Sequence, residues 1–121
     1  MSYSIYLCDA VTGNVLHSDT KHQIKGGTYA VGGTDELWID VTTNYYKIFC
    51  MPEVFGSVGI HFLNNKMAAD TIKPLEKAIQ NLKDDTDPDY WKPTEGNAKS
   101  ALISLLALAK LRPDGIWSVL C

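Results

Sequence analysis

The chain has 121 residues, 45% hydrophobic and 21% charged, with a formal net charge of −3. This is the make-up of one soluble globular domain over residues 1–121, long enough to bury roughly two-thirds of its unfolded surface. The charge argues against a protein that coats a nucleic acid polymer or an anionic membrane, although a small anion needs only a few backbone N–H groups and a cation or two. Cys8, Cys50 and Cys121 are odd in number and widely spaced, which reads as reduced thiols and not as a disulfide framework. MSYSIYLCDA has neither a basic start nor a long apolar run, so no signal peptide is expected.

Ser2–Cys8 alternates, with Tyr3, Ile5 and Leu7 on one face. Turn residues Asp9–Asn14 follow, and Val15-Leu16-His17 can return as the second arm of a β-hairpin. Residues 18–27 read as a polar, then glycine-rich loop, and Thr28–Val31 has β character. Leu37, Ile39 and Val41 alternate with Trp38, Asp40 and Thr42, which predicts a strand over Glu36–Thr42. Tyr45, Ile48 and Phe49 fall at helical spacing within Asn44–Met51, and Pro52 limits the run. Gly56–Asn65 reads as a connection with a short extended piece at Ile60-His61-Phe62.

Ile72, Leu75, Ala78, Ile79 and Leu82 predict a helix over Ala69–Lys83. Pro74 places its start near Asp70–Ile72, because proline is best tolerated in a first turn. Asp84–Asp89 is an acidic loop, and Tyr90-Trp91 anchors the chain before the last helix. That helix is announced by Thr94 as its cap, with Asn97 able to reach back as in a capping box, and it ends at Arg112-Pro113-Asp114-Gly115. It is apolar on nearly all sides, which predicts a buried core helix; its unbroken run, Ala101–Ala109, is far short of the ~20 residues of a membrane span. Strands first and helices later give an α+β fold: an N-terminal β-hairpin and mainly antiparallel sheet packed against C-terminal helices, the last one buried. The apolar tail Ile116–Leu120 suggests docking on a second copy, hence a homo-oligomer.

Two constellations could hold a ligand. Lys25-Gly26-Gly27-Thr28-Tyr29, with Gly32-Gly33 beyond, could aim backbone N–H groups at a phosphate beside a cation. It matches neither phosphate-loop fingerprint, and two turns around a short strand would use the same glycines. Asn44, Tyr45 and Tyr46, with Tyr29, Trp38 and Trp91 elsewhere, could stack and hydrogen-bond a base, and Asn97 could join Asn44, Lys25, Thr28 and Tyr29 in lining a pocket, although Tyr and Trp more commonly sit at the core edge. Asp85-x-Asp87-x-Asp89 opens like a calcium loop but has Tyr90 where that loop needs glycine and Gly96 where it needs glutamate. His17, His22 and His61 lack ligand spacing, Cys50 reads as a buried thiol, and no nucleophile has a recognisable base. No metal, cofactor or catalytic set is expected.

The segments GGTYAVGGT (26–34), VTTNYY (41–46) and DYWKPTEGNAKSALISLLALAKLRPDGIW (89–117) resemble an uncharacterised family of small proteins of phage and prophage type. Its pattern joins a GGTYAVGGT segment to a W-x-x-T-E-G-N-A helix that closes in P-D-G-x-W. The chain departs from it at Asp40 and Thr43, where the family pattern has Asn and Tyr. The resemblance implies the cytoplasm of a bacterial host and action on a host defence component or its nucleotide signal. The leading expectation is a non-catalytic binding protein that sequesters a small nucleotide-like signalling ligand to counter host defence. A protein–protein inhibitor of a host factor and a small hydrolase or transferase stay open beside it.

Overall fold

The structure, a computed structural model, describes residues 2–22 and 34–120. Strand β1 (Ser2–Cys8) buries Tyr3, Ile5 and Leu7 and leaves the side chains between them half-exposed. A period of two is what a sheet packed on one face requires. β2 (His17–His22) and β3 (Thr34–Glu36) form a small antiparallel pair. β4 (Trp38–Thr42) and β5 (Ile116–Leu120) flank β1 in a three-stranded antiparallel sheet, with Ile5 opposite Ile39 on one side and Val119 on the other.

The expected hairpin forms at its turn only. Cys8 bridges Val15, and Asp9 N–H donates to Asn14 O at 2.8 Å. At Leu7 the edge changes hands: its N–H donates to Leu37 O (2.9 Å) and its carbonyl accepts from Leu16 N–H (2.8 Å). Beyond that point Ile39 and Val41 take the edge of β1, because they bring apolar side chains to the covered face where Ser18 and Asp19 would bring polar ones. Glu36–Thr42 is accordingly two strands, broken at buried Leu37.

A 3-10 turn (Thr43–Tyr45) runs into the short helix α1 (Tyr46–Phe49), burying Tyr45, Ile48 and Phe49 as their spacing predicts. Gly56–Leu63 is 3-10 helical and kinked at Gly59 (φ +58°), which corrects the extended reading of Ile60-His61-Phe62. The kink turns Ile60 and Leu63 into the core.

Helix α2 (Ala68–Asn81) starts earlier than its proline suggested, placing Pro74 in the second turn. The cause is a cap made by main chain from far along the sequence: Ala68 N–H donates to Gly115 O (2.8 Å) and Ala69 N–H to Pro113 O (2.9 Å). The lost bond falls on the carbonyl of exposed Asp70, which water can satisfy. Gly115 also packs so closely on Leu7 and Leu16 that an added Cβ would lie 2.5 Å from Leu7 Cγ.

Helix α3 (Glu95–Leu111) packs beside α2 and buries Ala98, Leu102, Leu105, Leu108 and Ala109. Thr94 Oγ1 caps it by accepting from Asn97 N–H at 3.1 Å, but the buried Asn97 side chain turns to the preceding loop and makes no capping box. Ile103 (49% exposed) and Leu111 (58%) form an outward ridge on this otherwise mostly buried helix. The tail is the other correction. Ile116–Leu120 is β5 of the same chain's sheet, with Trp117 and Val119 buried, so it is no longer a ground for oligomerisation. Trp117 Nε1–H donates to Thr71 Oγ1 (2.9 Å), and that hydroxyl donates to Ala68 O (2.8 Å), tying β5 to α2. The fold is α+β, and among the described residues no helix is long and apolar enough to cross a membrane.

Candidate functional sites

Lys25, Gly26, Gly27, Thr28 and Tyr29, with Gly32-Gly33, lie outside the described residues. Of the second constellation, Asn44, Tyr45 and Asn97 meet on the loop that carries Trp91, while Trp38 stacks on Tyr6 with ring centroids 5.3 Å apart. Asn44 Nδ2 donates to Trp91 O at 2.9 Å, and the Tyr45 hydroxyl donates to the carbonyl of Tyr90. Tyr90 Oη in turn accepts from Thr42 N–H at 2.8 Å. Asn97 spends its whole amide on the same loop: Oδ1 accepts from Asp87 N–H (2.9 Å), and Nδ2 donates to Asp89 O and Lys92 O (both 3.0 Å).

These residues therefore clamp residues 87–92 onto the end of β4 and the start of α3. Tyr45 is fully buried, so it cannot offer a ring face to a base as expected; Tyr46 is 56% exposed and Trp91 47% exposed. Burial, then the neighbouring Tyr90 and Asp89, pushes the Tyr45 phenol well above its ordinary pKa, and burial raises Tyr90 likewise. Both hydroxyls stay protonated and are engaged in the clamp, Tyr45 with Tyr90 O and Tyr90 with Thr42 N–H. Tyr90, which holds the clamp from both its ends, was read from sequence only as an anchor; nothing in its spacing reveals its partners.

The clamp frames a cleft of about 430 Å³, lined by Tyr45, Tyr90 and Asn97 and by Thr86, Ser100 and Ser104. Its rim carboxylate, Asp87, lies 3.4 Å from Lys92 Nζ. The backbone N–H of Asp89, then Lys92, holds that carboxyl below the usual range. Asp85 accepts from Gly96 N–H (3.1 Å) and Asp89 from Trp91 N–H (3.1 Å), so the acidic loop serves backbone donors. Gly96 is needed there, because an added Cβ would sit 2.5 Å from Thr86 N and 2.6 Å from Asp85 C.

A second groove, of about 360 Å³, runs between α2 and residues 52–62. Phe55 and Phe62 stack along it with centroids 5.4 Å apart and planes 15° apart, and Lys73 and Lys77 stand one turn apart on its helical wall. Lys66 Nζ lies 4.1 Å from the Phe62 centroid and donates to Phe62 O at 2.6 Å. Sequence reading missed this site. The i, i+4 lysine pair was a visible signal, but the phenylalanines lie in a segment whose course no periodicity gave away. A row of ring contacts, Tyr90–Tyr45–Phe49–Phe55–Phe62, runs from the cleft to this groove.

His17 Nδ1 and Asp35 Oδ1 pair at 3.0 Å beside a shallow hollow of about 240 Å³ that Arg112 also lines. Cys50 Sγ contacts Ser57 O at 3.7 Å, and burial raises the Cys8 thiol above its ordinary pKa, which suits an inert role. Among the described residues no group of three or more His, Cys, Asp or Glu is placed to hold a metal ion. No protein-family model, curated protein or solved structure matches the chain.

Proposed function

We propose that the protein is a non-catalytic binding protein that sequesters a small nucleotide-like ligand, with the ring-and-sugar portion seated in the cleft beside α3. The supporting observation is the convergence of Tyr45, Tyr90 and Asn97, from segments distant in sequence, around about 430 Å³. That volume lies in the range of small-ligand pockets. The Asn97 and Tyr45 hydrogen bonds hold the cleft's walls before a ligand arrives, which lowers the ordering cost of binding. The Ser100 and Ser104 hydroxyls donate to Gly96 O (3.1 Å) and Ser100 O (3.2 Å), which leaves their lone pairs to accept from a sugar hydroxyl or a ring N–H. With Asp87 paired to Lys92, the rim does not present a bare negative charge to a phosphate.

The resemblance to small phage-type proteins supplies the setting, in which the captured molecule is a host defence signal. Native mass spectrometry against a panel of nucleotides tests the reading, using the wild type and Ser104→Trp, which fills the cleft from a half-buried position. Ser104→Trp is expected to hold one intact ligand fewer per subunit than the wild type. Recovery of a cleaved product with repeated turnover would make the protein an enzyme instead.

A second reading, an inhibitor acting by protein contact, is favoured by the outward ridge of α3. Ile103, Ala107 and Leu111 recur at i, i+4 and i+8 and are all exposed. The same ridge could join two copies of this chain. Light scattering that gives a monomer mass at high micromolar concentration would remove self-association.

A further inference from the structure

We infer that the groove between α2 and residues 52–62 binds a planar aromatic ring carrying a phosphate, the chemistry of a nucleoside monophosphate. This rests on the groove alone and not on the cleft beside α3. Its floor is aromatic: Phe55 and Phe62 lie nearly parallel at 5.4 Å, and Val54 and Pro74 complete the apolar lining. Phe62 already has Phe55 stacked on it and Lys66 over it, so a flat ring meets the pair, with Val54 and Pro74, as an apolar surface to lie against and not as a stack to extend.

The wall is cationic. Lys73 and Lys77 line the groove from successive turns of α2, and Lys66 stands over Phe62. None of the three ammonium groups pairs with a carboxylate among the described residues. Glu53 is the one acidic side chain in the lining, and exposed Asp70 and Glu76 on α2 do not engage the lysines. The lining itself holds two cations, Lys73 and Lys77, against one carboxylate, Glu53, a small positive excess in a chain of net charge −3. An anion is drawn to such a place, and a flat ring gives it an apolar hold.

Size is compatible with this ligand: a volume of about 360 Å³ admits one ring with its sugar and phosphate. An acidic peptide would satisfy the lysines but leave the ring pair unused. Inorganic phosphate would meet only mobile, exposed ammonium groups, which bind a lone anion weakly.

The test is a titration of the full chain with adenosine monophosphate, followed by amide chemical shifts, with adenosine and inorganic phosphate as separate controls. Shifts confined to residues 52–55, 62–66 and 73–77 are expected, with each control at least roughly tenfold weaker, since each lacks one half of the recognised chemistry. Lys73→Gln/Lys77→Gln should weaken binding roughly tenfold with an unchanged free spectrum, because both side chains are exposed and unpaired. Lys73→Arg/Lys77→Arg should retain it, and wild-type affinity should fall as salt rises. Shifts confined to residues 86–104 would overturn this site and leave the cleft reading standing. Equal affinity in the Lys→Gln variant, or self-association through these lysines without a nucleotide response, would overturn it as well.

Discussion

Replacing Gly96 by alanine separates two forces of opposite sign. Taken as a helix residue alone, the change should stabilise α3, since alanine is favoured over glycine by about 1 kcal/mol in a helix interior. The structure reverses that expectation. The new Cβ would lie 2.5 Å from Thr86 N, 2.6 Å from Asp85 C and 2.9 Å from Asp85 N, all of them main-chain atoms that no side-chain rotation can clear. Forcing an extra methyl into so tight a contact costs about 1–3 kcal/mol. Moving the loop away also stretches the 3.1 Å bond from Gly96 N–H to Asp85 Oδ1, at a further cost of about 1 kcal/mol. The net effect is destabilisation of about 1–3 kcal/mol, a fall in melting temperature of roughly 4–12 °C for a domain of this size. Thermal melts followed by circular dichroism would measure it, and amide exchange should quicken first in residues 85–92. A melting temperature equal to or above that of the wild type would refute the close-approach reasoning.

Other perturbations follow from the same contacts. Asn97→Ala strips three partners from a nearly buried amide and should cost about 2–4 kcal/mol by urea unfolding; a value near zero would mean that the loop does not depend on it. Thr71→Val leaves the Trp117 indole N–H buried without its acceptor, and should lower stability by about 1–3 kcal/mol at little change in shape. Leu105→Ala, at a fully buried site, should cost about 2–5 kcal/mol and Leu106→Ala, at a half-buried one, distinctly less; equal losses would contradict the helix orientation. Asp9, Asp35, Asp87 and Asp114 are held below the ordinary aspartate value by, in turn, the Thr12 and Val11 N–H groups, His17, the Asp89 N–H and Arg112. Their folded pKa values lie below the unfolded value of about 3.9, so their stabilisation is complete above it and fades as pH falls through the folded values. A melting temperature that stays constant from about pH 5 to about pH 2.5 would exclude that contribution.

Much of the fold was legible because it depends on local rules. The alternation of Tyr3, Ile5 and Leu7 and of Ile39 and Val41 fixes which faces are buried, and Thr94 marks the start of α3 by its own chemistry. What was not legible depends on atoms far apart in sequence. Nothing near Ala68 shows that the carbonyls of Pro113 and Gly115 will cap its helix, so Pro74 misled the choice of its start. The tail looked like an interface for a similar reason: an apolar run identifies a surface to be covered but not which partner covers it, and here β1 does. At the site the same limit applied. Asn44, Tyr45 and Asn97 meet on the loop that carries Trp91, yet composition could not say that their polar atoms would be spent on that loop and not on a ligand.

That distinction decides which residues can report on binding. A side chain whose donors and acceptors are all engaged, as in Asn97, changes the fold when it is removed, and any loss of affinity is then a loss of the walls. Tyr45 belongs to the same class: it is fully buried and in edge contact with Phe49 at 6.1 Å and Tyr90 at 5.6 Å, so Tyr45→Ala should cost about 3–5 kcal/mol of stability before it can speak about a ligand. Ser104, Lys73 and Lys77 are the opposite case. They face the cleft or the groove, lie outside the apolar core, and can be changed with little effect on the fold. The ring row from Tyr90 to Phe62 passes through the core between the two sites, so a variant at Phe49 would disturb both at once and separate neither. Ser104→Trp set against Lys73→Gln/Lys77→Gln is therefore the comparison that assigns a bound ligand to one site or the other.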